Sequence, residues 1–167
     1  MERIIFIPSE FRIKPFYDHS SEKIELSDEN RLIVPFYHEI DCVNNQRKSD
    51  KLLQKADTLI IQLFDHWKAN KKTISDLFRN RDKEKAKDPM ISAIANMISI
   101  LMWMNEEVLI NLENLQAILS NLPIQPINFA ERVSFLLKQP NNYHSFIQLA
   151  GLYEEIEKQY YKQKIKR

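Results

Sequence analysis

The stretch from Pro89 to Met104 constrains this chain more than any other. Ile91, Ile94, Ala95, Met97, Ile98, Ile100, Leu101, Met102, Trp103 and Met104 make it apolar nearly all round, with only Ser92, Asn96 and Ser99 interrupting. A helix with no polar face must be covered on every side, by lipid or by other helices. Spanning a bilayer takes about 20 predominantly apolar residues, and this run is shorter and stops at Glu106-Glu107. It is therefore expected as the central helix of a bundle. Asp88-Pro89 reads as its start, because aspartate accepts from first-turn amides and a proline at the first helical position has no amide to leave unpaired.

Other apolar stripes supply the cover. Leu52, Leu53, Ala56, Leu59, Ile60, Leu63, Phe64 and Trp67 recur at three- and four-residue spacing and predict a helix over about Ser49 to Ala69. Thr73 is positioned to cap a short, highly charged helix to about Lys87. Leu109, Leu112, Leu115, Ala117, Ile118 and Leu119 carry a helical pattern to about Asn121, either straight on from the central helix or after a break near Asn105. Pro123 and Pro126 end it. Asn128-Phe129-Ala130-Glu131 resembles a capping box opening a helix to about Lys138. A last helix runs from about Tyr143, burying Phe146, Ile147, Leu149, Ala150, Tyr153 and Ile156 before the basic residues of 158–167.

The first 48 residues have a different pattern. Arg3-Ile4-Ile5-Phe6-Ile7 is β-branched and aromatic, but with no evident partner strand it is expected as part of an extended arm. Ile13-Lys14-Pro15-Phe16-Tyr17 is echoed twenty residues later by Ile33-Val34-Pro35-Phe36-Tyr37. Each proline holds its predecessor extended and presents two aromatics, and packing across a helical core is the favoured use of Phe16, Tyr17, Phe36 and Tyr37, with partner contact as the alternative. The expectation is all-α: one domain over 1–167, an irregular bundle of about five helices over 49–157, an extended Pro/aromatic arm over 1–48 and a basic tail over 158–167.

A single glycine, Gly151, excludes much chemistry. Phosphate-cradling loops, dinucleotide fingerprints and nucleophile elbows all place glycines where the backbone takes positive φ or approaches a ligand. The lone Cys42 closes no internal disulfide and supplies no multi-cysteine zinc site. His38-Glu39-Ile40-Asp41-Cys42 is the densest set of potential ligands, yet adjacent residues point apart and no second cluster has a metal-site spacing. Asp65-His66 and Glu106-Glu107 likewise read as polar surface. No enzyme, metal or cofactor is expected. After Met1-Glu2-Arg3 only Ile4 to Ile7 precede Pro8, too short for an export signal, so the expected location is cytoplasmic, without membrane contact.

Net charge is +1 but blocked: 68–87 carries 8 Lys/Arg against 3 Asp/Glu, 88–157 carries 2 against 8, and 158–167 carries 5 against none. Arg79, Arg81, Lys83, Lys85 and Lys87 recur at every second residue, which spreads charge around a helix. The tail is the better candidate for nucleic acid, with Lys158, Lys162, Lys164, Lys166 and Arg167 for phosphates and Tyr160 and Tyr161 for base stacking.

With its Pro-Phe-Tyr motifs, its apolar central helix after Asp88-Pro89 and its Leu-Pro-Ile-Gln-Pro-Ile-Asn-Phe-Ala-Glu-Arg segment from Leu122 to Arg132, the chain resembles the YpoC-like family of small proteins from Bacillus-type bacteria. The resemblance implies a bacterial cytoplasmic protein with relatives encoded near DNA replication and repair genes, and it carries over no catalytic residue. The functional expectation is a noncatalytic protein-interaction or adaptor domain with an unknown protein partner. The alternative is a DNA- or RNA-associated accessory protein using the basic tail.

Overall fold

The computed structural model describes residues 2–45 and 49–166. Among them are seven α-helices, two more than expected, and a small sheet: β1 Arg3–Phe6, β2 Lys23–Leu26, α1 Tyr37–Asn44, α2 Ser49–Gln54, α3 Ala56–Arg79, α4 Lys83–Met104, α5 Leu115–Ser120, α6 Phe129–Lys138 and α7 Tyr143–Ile165. α4 is the central helix, buried at every residue from Met90 to Met104. α3 runs back along it, and α7 packs against both.

The extended arm is corrected to a folded segment. β1 finds its partner in β2, antiparallel with Arg3 opposite Leu26 and Phe6 opposite Lys23. Lys-Ile-Glu-Leu over 23–26 alternates like a strand, but the long connection between the two strands hides the pairing from sequence. α1 covers the outer side of β1: Asn44 Nδ2 donates to the Phe6 carbonyl at 2.7 Å, and Arg3 pairs with Asp41 at 2.9 Å. The two Pro-Phe-Tyr motifs pack on each other. The Phe16 and Phe36 rings meet edge-on at 4.8 Å, and the Tyr17 hydroxyl donates to the Pro35 carbonyl at 2.7 Å. Ile7, Phe11, Phe16, Phe36 and Ile40 join the same apolar interior as the helices.

Helix boundaries differ from expectation where non-glycine residues take left-handed turns. α3 runs unbroken through Thr73 to Arg79, so no separate helix starts there. It ends with the Asp82 amide donating to the Leu77 carbonyl and the Arg81 amide to Phe78, a Schellman cap with Arg81 at φ 58° in glycine's usual place. Asp82 then caps α4, its carboxylate accepting from the Lys85 amide at 3.2 Å. Pro89 consequently lies inside α4, and Asp88 does not start it. α4 ends in the same cap: Glu107 donates to Met102 and Glu106 to Trp103, with Glu106 at φ 59°.

That turn breaks the helix at Asn105. Residues 107–114 are irregular although Leu109 and Leu112 are buried, and helix resumes only at Leu115. The stripe over Ser49 to Ala69 is also interrupted, at Lys55 between α2 and α3. Asn128 precedes α6 in a left-handed conformation without a side-chain capping bond, so the capping box does not form. Asn142 does cap α7, accepting from the His144 amide at 2.9 Å.

Candidate functional site

Ser92, Asn96 and Ser99 are spaced four and three apart, which puts them on one face of α4. That face meets the N-terminal segment in a polar seam inside the apolar interior. The Ser92 hydroxyl donates to the Ile33 carbonyl, the Asn96 amide to the Leu32 carbonyl at 2.9 Å, and the Ser99 hydroxyl to Glu39 Oε2 at 2.5 Å. Buried polar groups need such partners, because an unpaired one loses its hydration without compensation. Glu39 is only half satisfied. Its residue is 1% exposed and Oε1 has no hydrogen-bond partner. Burial pushes its carboxyl up to about 7, with the Ser99 bond pulling in the opposite direction. Burial also raises the Tyr17 phenol, and the Glu39 charge adds to it. His38 is partly buried, its ring edge-on to Trp103 at 5.8 Å, and burial lowers its imidazole to about 4.

Beside the seam lies a half-open cleft of about 510 Å³. Phe16, Ile33, Val34 and Pro35 form the N-terminal wall, and Trp67, Ile74 and Ile91 the helical one. The base is Tyr153 of α7. Trp67 stacks on it, with ring centroids at 4.4 Å and planes at 7°, and its hydroxyl donates to the Ala93 carbonyl at 2.6 Å. The polar lining comes from Asn30, His66, Asn70, Thr73, Asp88 and Asn96. Asn70 Nδ2 donates to the His66 carbonyl at 2.8 Å and lies 3.2 Å from His66 Nδ1. Burial lowers the His66 imidazole. A mainly apolar concavity of this volume with a few placed polar groups is the usual form of a binding site.

The residues singled out from sequence divide unevenly. Phe16, Tyr17, Phe36 and Tyr37 are all buried in the core, and of the four only Phe16 also lines the cleft. The basic tail is not a separate tail, since α7 continues to Ile165. Tyr160 is 2% exposed and donates to Asp57 Oδ1 at 2.9 Å, so its ring is closed to a base. Lys164 is ion-paired with Asp57. Lys158, Tyr161 and Lys162 remain exposed on α7, and Lys166 is exposed just past its end. Arg167 lies outside the described residues.

His38, Glu39 and Asp41 diverge to Trp103, Ser99 and Arg3 respectively. No group of three or more His, Cys, Asp or Glu side chains able to share a metal occurs among the described residues. The basic residues Arg79 to Lys87 straddle the α3–α4 turn. Sequence reading missed both the seam and the cleft. The available signal was the spacing of Ser92, Asn96 and Ser99, three small polar residues on one side of an otherwise apolar helix.

Among the described residues no helix is long and apolar enough to cross a membrane. No solved structure matches the chain. A curated relative, named as an uncharacterised protein YpoC from Bacillus subtilis strain 168, is 34% identical over 100 residues, which covers 60% of this chain and 61% of the relative. The chain thus aligns with somewhat under two thirds of that relative's length. The family model described as YpoC-like protein matches residues 57–167, from the first turn of α3 onward, and the chain belongs to the YpoC-like family.

Proposed function

We propose that this is a noncatalytic interaction protein that receives apolar side chains of a protein partner in the cleft between its N-terminal segment and α3, α4 and α7. The observation that carries the reading is the cleft itself: about 510 Å³, mainly apolar, and walled by elements from distant parts of the chain. The strongly shifted carboxyl, Glu39, is sealed in the seam, where it touches no solvent-borne substrate. Thr73 is an exposed residue of the cleft wall, so Thr73→Trp fills the opening without entering the core. Affinity capture with wild type and T73W, both verified as folded by thermal unfolding, tests the reading. Proteins retained by wild type and lost by T73W, with photo-crosslinks mapping to the cleft, are expected; identical capture by both would reject it.

A second reading, association with nucleic acid, draws on the exposed face of α7. Lys158, Lys162 and Lys166 recur every four residues with Tyr161 beside them, a stripe that tracks phosphates and offers one stacking ring. Three lysines correspond to a slope of log K against log salt no steeper than about −3. Labelled single- and double-stranded oligonucleotides at two salt concentrations test it, and absence of salt-sensitive binding at low salt eliminates it.

A further inference from the structure

We infer that the partner segment seated in the cleft is cationic: an apolar or aromatic side chain against Trp67 and Pro35, adjoining a lysine or arginine directed to Asp88. This rests on the cleft being a docking site and goes further by naming the chemistry it selects. Among the described residues, Asp88 is the one carboxylate that lines the cleft, and no lysine or arginine lines it. It has no ion pair or hydrogen-bonded partner among the described residues, and its side chain is exposed at the opening. The remaining lining groups reinforce the sign. Asn70 and Asn96 commit their amide nitrogens to the His66 and Leu32 carbonyls, and the Ser92 hydroxyl donates to Ile33. Their side-chain oxygens are left as acceptors.

An ammonium or guanidinium can donate to these oxygens and carries the charge that Asp88 complements. An anionic segment would bring a second negative charge against that carboxylate, a repulsion of the modest size that solvent at the opening allows. Asp28 and Glu29 are exposed just before Asn30 of the cleft wall, and Lys14, Arg31, Lys71 and Lys87 adjoin Pro15, Asn30, Asn70 and Asp88 in sequence without lining the cleft.

The test uses three capped pentapeptides sharing one phenylalanine and differing at the following position: lysine, norleucine or glutamate. Binding is read from amide chemical shifts of Asn70, Thr73, Ser92 and Asn96 in labelled full-length protein. The lysine peptide should bind about fivefold more tightly than the norleucine peptide, the upper range for a solvent-exposed ion pair, and the glutamate peptide most weakly. Asp88→Asn should remove the advantage of the lysine peptide over the norleucine peptide, and Asp88→Lys should invert the order. Equal binding of lysine and norleucine peptides, or a lysine advantage that survives Asp88→Asn, overturns the inference and leaves the docking site standing. Absence of cleft shifts with all three peptides refutes the docking site itself.

Discussion

Exchanging Glu39 for glutamine should make this protein sensitive to acid. In the folded chain the Glu39 carboxyl titrates near 7 against 4.5 when free, and the adjacent His38 imidazole near 4 against 6.5. Burial drives both toward their neutral forms, so folding takes up a proton at one and releases a proton at the other. Stability rises with pH wherever the unfolded chain holds more protons. Glu39 holds more in the folded state, so its contribution is complete below pH 4.5 and is lost as pH climbs through about 7. His38 holds more in the unfolded state, so its contribution is complete above pH 6.5 and is lost as pH falls through about 4. Between pH 4.5 and 6.5 the two slopes oppose each other and most of the pH dependence is offset. A gap of about 2.5 on the pH scale corresponds to about 3 kcal/mol for Glu39, and to about 2 kcal/mol for His38, whose ring keeps some solvent contact. E39Q should therefore lose about 2 kcal/mol between pH 6.5 and 4 that wild type keeps. His38→Gln should lose about 3 kcal/mol between pH 4.5 and 7. Urea unfolding at stepped pH measures both, each variant taken as a difference from wild type so that the other titrating groups drop out. A wild-type-minus-E39Q difference constant to about 0.5 kcal/mol from pH 4.5 to 7.5 would show that Glu39 is ionised in the fold and refute the reasoning.

Gly151 lies within α7, and a Cβ built there meets nothing within 4 Å; Gly151→Ala should raise the free energy of urea unfolding by about 0.5–1 kcal/mol, and a loss would mean that the position is crowded. Tyr160→Phe removes the hydroxyl bonded to Asp57 and keeps the buried ring, so it should cost about 1 kcal/mol in the same assay; no change would show that the tether contributes nothing. Trp67→Ala empties the stack on Tyr153 and one wall of the cleft, and an unfolding free energy lower by about 3–5 kcal/mol is expected, with a loss under about 1 kcal/mol arguing that the ring is not part of the core.

Periodicity made the helical parts legible, because burial on one side or all sides writes itself into spacing. α4, α6 and α7 appear near where their apolar residues put them, and α4 is central because nothing on its surface tolerates water. The boundaries were harder for a specific reason. Sequence signals for helix ends rely on glycine at the left-handed position, and Arg81 and Glu106 occupy it here. Asp88-Pro89 carries every local mark of a helix start, yet Asp82 captures the first turn six residues earlier and Pro89 is tolerated inside. Site residues were read least well. Aromatic side chains and lysines look available in a sequence, but Tyr160 is consumed by Asp57, and the two Pro-Phe-Tyr motifs by each other. The cleft requires residues 15–35, 66–96 and 153 to converge, which no local spacing encodes.

The family match begins at residue 57, yet much of what is distinctive in the matched part points away from it. Ser92, Asn96 and Ser99 all lie within the matched span, and all three find their partners at residues 32–39, before it. The segment supplies both the cover over this face of α4 and the partners of its three polar groups, which burial would otherwise leave unpaired at a cost of roughly 1–3 kcal/mol each. The same segment contributes Phe16, Val34 and Pro35 to the cleft. Residues 2–45 therefore act as the second half of the polar seam and the second wall of the cleft, and the bundle and its candidate site are completed by the same contacts. A change that loosens the segment from α4 opens both together, which is why a carboxyl sealed at that junction, Glu39, is the most informative residue to alter.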